Sequence, residues 1–262
     1  MPMSAQGEEK PAPVLQLEGV SKSFGGVRAA RDVSFSVAPG HIHAVIGPNG
    51  AGKTTLFNII TGVYAPDSGR IRFEGADVGG RPVHRRVAMG IARTFQNVEL
   101  FSGMSVLENV MVGLHVRTRC GFLGAIARPP WVKREEKLAR ETALDWLRFV
   151  GMEKVAETPA GDLPFGWQRL VEIARSLASR PRLLLLDEPA AGLNARETRD
   201  LGALLKRIRA QGVTLLLVEH DMSLTMEISD RIMVLDQGVK IAEGTPREVQ
   251  ADKKVLSAYL GG

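Results

Sequence analysis

Gly47-Pro-Asn-Gly-Ala-Gly-Lys-Thr54 fits the spacing GxxxxGK followed by Ser or Thr. It lies between an apolar run, His41–Ile46, that reads as a strand, and a helix predicted from about Lys53. This junction commits that part of the chain to strand, glycine loop and helix, in that order. Glycines let the backbone wrap closely round a phosphate and turn its N–H groups inward. The helix N-terminus adds partial positive charge. Lys53 can then reach β- and γ-phosphates, and the Thr54 hydroxyl can ligate Mg²⁺. Asn49, Gly50, Ala51, Gly52 and Thr55 complete the candidate nucleotide loop.

The rest of the chain agrees with such a fold. Val14–Val20 and Val33–Val37 read as strands, as does Gly69–Glu74 after the turn signal Pro66-Asp67-Ser68-Gly69. From Gly166 onward helix and strand alternate. Leu170, Ile173, Ala174 and Leu177 form one helical stripe; Leu201, Leu204, Leu205 and Ile208 form another. Leu183–Leu186 and Val213–Val218 are short apolar runs suited to strands buried on both faces. Residues 104–160 differ. They show no clear strand and two helical stretches, the second with Ala139, Ala143, Trp146, Leu147 and Val150 at helical spacing. The pattern predicts an α/β fold with a mostly parallel sheet, interrupted by an all-helical insertion.

The second site signal is Leu183-Leu-Leu-Leu-Asp187-Glu188, two carboxylates at the end of a buried strand. Ligands of open α/β sheets gather at the carboxyl ends of strands. Asp187 there would hold Mg²⁺, directly or through water, and Glu188 could act as general base on an attacking water.

Composition narrows the class further. At 262 residues and 44% hydrophobic, the chain is too apolar to be disordered. No apolar run reaches the ~18 residues of a membrane span. Residues 1–13 lack the apolar core of a secretory signal and read as a loose tail. The single cysteine, Cys120, excludes a disulfide framework and a Cys-rich zinc site, so the chain reads as intracellular. A net charge of +5 and a pI near 9.5 suit an anionic partner: nucleotide, membrane surface or nucleic acid.

With Thr94-Phe-Gln96 and Val218-Glu-His220, the phosphate loop and the carboxylate pair stand in the order seen in ABC transporter ATPase subunits, and the chain resembles that family over about residues 14–245. The resemblance implies a P-loop NTPase core with an N-terminal antiparallel β region. It implies a single cassette over 14–262, with residues 97–165 as the inserted helical subdomain. It also implies an ATP-driven dimer holding two nucleotides head to tail, each between one subunit's phosphate loop and the other's signature motif. Gln96 matches the glutamine that touches Mg²⁺ and water and senses the membrane subunit. His220 matches the switch histidine at the γ-phosphate, and Phe24 the aromatic that stacks on adenine.

Two departures from the family pattern stand out. The signature, usually Leu-Ser-Gly-Gly-Gln, reads Leu163-Pro164-Phe165-Gly166-Trp167, so Pro164 replaces the phosphate-binding serine and supplies neither hydroxyl nor N–H. Asn194 stands where an aspartate is commoner; it keeps an acceptor oxygen and loses the charge.

The basic insert Gly113 to Arg134, the run Asp-Glu-Pro-Ala-Ala-Gly-Leu-Asn and the terminal Ala-Tyr-Leu-Gly look like the ATPases of bacterial high-affinity branched-chain amino acid importers. That group implies two membrane-spanning partner subunits and a second ATPase chain or a second copy. A substrate-binding protein outside the cytoplasm would act indirectly. The expected place is the cytoplasmic face of the plasma membrane, as a peripheral subunit. Two other readings stand beside it. A soluble ABC ATPase acting on nucleic acid or ribosomes would suit the pI, but the single cassette and the lack of a coiled coil disfavour it, so no nucleic-acid partner is expected. The ATPase of a lipopolysaccharide-type exporter is disfavoured by the long insert.

Overall fold

The structure, a computed structural model, describes residues 11–94, 98–115 and 130–260. The basic stretch Gly113 to Arg134 falls mostly, and Gln96 wholly, outside them. The chain begins with β1 (Leu15–Phe24), β2 (Val27–Val37), β3 (Ile42–Ile46), α1 (Lys53–Thr61), β4 (Ser68–Phe73) and β5 (Ala76–Asp77). Next come α2 (Val83–Met89), β6 (Ile91–Arg93), α3 (Val106–Leu114), α4 (Pro130–Val150) and α5 (Phe165–Ala178). Then follow β7 (Leu183–Asp187), α6 (Ala195–Ala210), β8 (Thr214–Val218), α7 (Met222–Ile228), β9 (Arg231–Asp236) and β10 (Val239–Gly244). Helices α8 (Pro246–Ala251) and α9 (Lys253–Leu260) close the described chain.

Two sheets organise these elements. An antiparallel sheet runs β2-β1-β4-β5, and a six-stranded sheet runs β10-β9-β3-β8-β7-β6. In the second sheet every neighbour pair is parallel except β10 against β9. The apolar runs that predict doubly buried strands divide by alternation. Leu184, Leu186, Leu215 and Leu217 point into a core shared with α3, α4, α5 and α6. Leu183, Leu185, Leu216 and Val218 point the other way, onto α1 and the antiparallel sheet. Each such side chain contributes about 1.5–3 kcal/mol over its exposed state.

The strands of the first hairpin run beyond Val14–Val20 and Val33–Val37. They continue to Phe24 and start again at Val27, with Gly25 and Gly26 between. In the outer arms Ser21–Phe24 and Val27–Ala29 bury no residue, so they lack the alternation that marks the inner halves. Four strands carry no reading in the sequence analysis, among them the two-residue β5. β6 is three residues long, set directly after Gly90, and β9 and β10 form a hairpin about Gln237 and Gly238.

Within the helical region, Ser105 and Glu108 close a capping box at the start of α3. On α4 the stripe buries Ala143, Leu147 and Val150. Helix α5 packs on both α3 and α4. Among the described residues, no helix is long and apolar enough to cross a membrane.

Candidate nucleotide site

The phosphate loop spans the gap between β3 and α1. Gly52 precedes α1 at φ 99°, and a side chain there would run into the Ala29 carbonyl. A Cβ on Gly47 would likewise strike the carbonyl of Leu235. Close approach by neighbouring strands therefore requires glycine at both places, in addition to the backbone freedom. No side chain caps the start of α1, so its first N–H groups are left for a ligand.

Lys53 is 6% exposed, and its Nζ donates to the carbonyls of Gly47 at 2.7 Å and Pro48 at 2.9 Å. Burial lowers its pKa, while Glu188 and Asp187 act in the opposite direction. Lys53 lines a cavity of about 470 Å³ with the loop from Asn49 to Thr55, Glu188 and His220. The opposite wall is the β1–β2 hairpin from Gly26 to Ala29, with Arg31.

Strand pairing brings the two candidate catalytic side chains together. Asp187 pairs with Val218 across β7 and β8, so Glu188 and His220 emerge from neighbouring strand ends. Glu188 Oε1 lies 2.8 Å from His220 Nε2. The Glu188 N–H donates to the Val218 carbonyl at 2.8 Å, and its backbone sits at φ 47°, in the left-handed region that glycine favours. Non-glycine residues held there cluster at functional sites.

Asp187 is 2% exposed and does not line the cavity. Its Oδ2 accepts from Arg93 Nη2 at 2.7 Å, and Arg93 Nη1 also donates to Asn58 Oδ1 at 2.6 Å. The oxygens that a divalent cation would use are hard ones, the Thr54 hydroxyl and the Asp187 carboxylate. Among the described residues no cluster of three or more His, Cys, Asp or Glu exists. Such a sparse oxygen set fits Mg²⁺, which keeps water and phosphate oxygens as its other ligands.

Phe24 stands apart from this cavity. It is half-exposed at the hairpin tip, edge-on to Tyr64 at 5.0 Å between ring centres, with Lys22 Nζ 5.5 Å from its ring centre. The signature segment also lies outside the lining. Leu163 is buried, Pro164 takes the N-cap position of α5 without capping it, and Phe165 and Trp167 are exposed. Gly166 is partly exposed, and a Cβ there would stand 3.1 Å from Glu197 Oε1 and 3.3 Å from Leu193 Cδ2. Asn194 uses the acceptor it retains. Its Oδ1 takes the N–H groups of Arg196 and Glu197, a capping box that starts α6.

Sequence reasoning passed over Arg93, the cavity arginines Arg28 and Arg31, and Glu219. Glu219 is 3% exposed, and burial raises its pKa against the pull of three backbone N–H donors. The one signal for it is a charged residue set directly between an apolar strand and His220.

A family model described as "ABC transporter" matches residues 30–191, more than half the chain. The chain belongs to the ABC transporter family. A second model, "Branched-chain amino acid ATP-binding cassette transporter", matches residues 239–262. Among ABC transporter proteins, the chain is 46% identical over 250 residues to the high-affinity branched-chain amino acid transport ATP-binding protein BraF of Pseudomonas aeruginosa, covering 95% of this chain and 98% of BraF. The solved ADP conformation of an ABC transporter cassette is similar at a TM-score of 0.84 and 34% identity, covering 96% of this chain and 100% of that one. A dimeric cassette in a post-hydrolysis state, bound to ADP and Pi, is similar at a TM-score of 0.75 and 26% identity, covering 89% of this chain and 99% of that one.

Proposed function

We propose that this chain is the ATP-hydrolysing subunit of a membrane importer for branched-chain amino acids. The observation that carries the ATPase reading is one cavity lined by Lys53, the phosphate loop, Glu188 and His220. The transport reading is supported by family membership and by the likeness to BraF, a branched-chain amino acid transport ATP-binding protein.

In this reading, ATP enters with its phosphates over the loop N–H groups. Lys53 leaves two neutral carbonyls for the β- and γ-phosphates, a charge-assisted exchange. Phe24 stacks on adenine, which requires the hairpin tip to meet the base at the cavity mouth. Glu188 accepts the proton of the attacking water, and His220 holds the γ-phosphate. Thr54, Asp187 and Gln96 would hold Mg²⁺, which would supply charge neutralisation at the phosphate oxygens. The transferred group spreads its charge, so positioning and neutralisation dominate the rate.

The working unit is a head-to-tail pair of cassettes, either two copies or this chain with a second ATPase. The segment Leu163–Trp167 then faces the nucleotide held by the partner cassette. The pair sits on two membrane-spanning subunits at the cytoplasmic face of the plasma membrane, and a binding protein outside selects the amino acid. Glu188→Gln tests the core of the reading. It should keep ATP affinity, abolish turnover and accumulate ATP-bound dimers by light scattering. Free turnover by this variant would remove Glu188 from the base role.

A further inference from the structure

We propose that Glu219 is a positioning residue for hydrolysis: its carboxylate fastens the loop carrying Glu188 to the loop carrying His220. The inference rests on the ATPase reading above.

Glu219 follows β8 directly and is not among the residues that line the nucleotide cavity. Its Oε1 accepts the N–H of Ala190 at 2.7 Å, two residues beyond Glu188. Its Oε2 accepts the N–H of His220 at 2.9 Å and of Asp221 at 3.2 Å. A buried carboxylate is costly unless it is hydrogen-bonded, and this one takes donors from two loops that follow two different strands. A carboxylate suits the task because each of its oxygens can accept on its own side. The grip reaches further. Asp221, held by Glu219, caps α7 through its own Oδ1, which accepts from the Leu224 N–H at 2.9 Å.

The consequence for the site is geometric. The Glu188 backbone is already tied to Val218 on one side. Glu219 ties the continuation of that loop, at Ala190, to the residue that bears the imidazole. The 2.8 Å approach of Glu188 to His220 is therefore set by a three-point clasp behind it. A small misplacement of groups around a reacting phosphate costs rate far more than it costs binding.

The discriminating variant is Glu219→Gln, equal in shape. The amide keeps one acceptor oxygen and turns an NH₂ group against the N–H on the other side. In the assembled transporter, kcat for ATP should fall about 10- to 100-fold. KM and ATP affinity should stay at wild-type values, the unfolding midpoint should fall by only a few degrees for the backbone N–H left unpaired, and Glu219→Asp, which keeps both acceptors, should recover part of the rate. A wild-type kcat in Glu219→Gln overturns the inference. So does a parallel loss of kcat and ATP affinity, or failure of both variants to fold, since each assigns the carboxylate a role in the fold or the binding site. A wild-type complex without ATPase activity would remove the underlying reading and this inference with it.

Discussion

Lys53 illustrates how a buried cation is kept available for a ligand. Its ammonium rests on two loop carbonyls, with Glu188 and Asp187 as the acidic groups that act on it. Neutral carbonyls satisfy hydrogen bonds without neutralising charge, so an incoming phosphate offers Lys53 a stronger partner. His43 is the opposite case, a buried ionisable group kept neutral. It is 1% exposed beside Phe35, and burial lowers its pKa from 6.5 to about 4. The unfolded chain therefore takes up this proton near pH 6.5 and the folded chain only near pH 4. The stability it contributes is complete above pH 6.5 and is lost as pH falls to about 4. The loss from this one proton reaches about 1.4 kcal/mol per pH unit. Denaturant melts across that window should show His43→Phe losing less stability on acidification than the wild type. Equal losses would place the acid sensitivity elsewhere.

Among the elements, the start of α5 combines two unusual choices with separable effects. Pro164 occupies the N-cap position without a capping hydrogen bond. Pro164→Ser would gain a cap of about 1 kcal/mol and give back about 0.4–1 kcal/mol of unfolded-state restriction. Stability should therefore hardly change, and any gain in ATP-driven dimerisation would report the new hydroxyl itself. Weaker dimerisation at equal stability would mean that proline shapes this loop. Gly166→Asp behaves differently, because the added carboxylate meets Glu197, the residue that closes the α6 capping box. It should lower the unfolding midpoint of the isolated chain as well as turnover. The sequence was most informative where an element is defined by its own residues. β7 and β8 are doubly buried apolar runs, and the phosphate loop is a contiguous spacing. It was least informative where partners are distant. Nothing near Glu219 announces Ala190, 29 positions away, and the outer arms of the first hairpin carry no apolar alternation. Gly166 shows the same limit: the contiguous motif does not announce that Glu197, on another helix, stands beside it.

For the whole molecule, the central sheet joins two cores. One face packs the helices α3 to α6, the other packs α1 and the antiparallel sheet. Helix α5 belongs to the first core and begins in the signature segment, so movement of the helical region carries that segment with it. In the proposed importer, the membrane subunits act on the helical region and thereby on the pairing of cassettes. Turnover by the isolated chain should then be slow and rise about 10-fold or more in the complete complex. Equal specific activity in both, with dimers demonstrated in both, would count against that coupling. The pairing of Asp187 with Val218 also bears on how this chain can change over time. One residue inserted into β7 or β8 would shift a catalytic side chain by about 3.3 Å along the ladder and turn every following leucine to the opposite core. Descendants of such a chain can lengthen or shorten their outer loops freely, while these two strands keep their residue count.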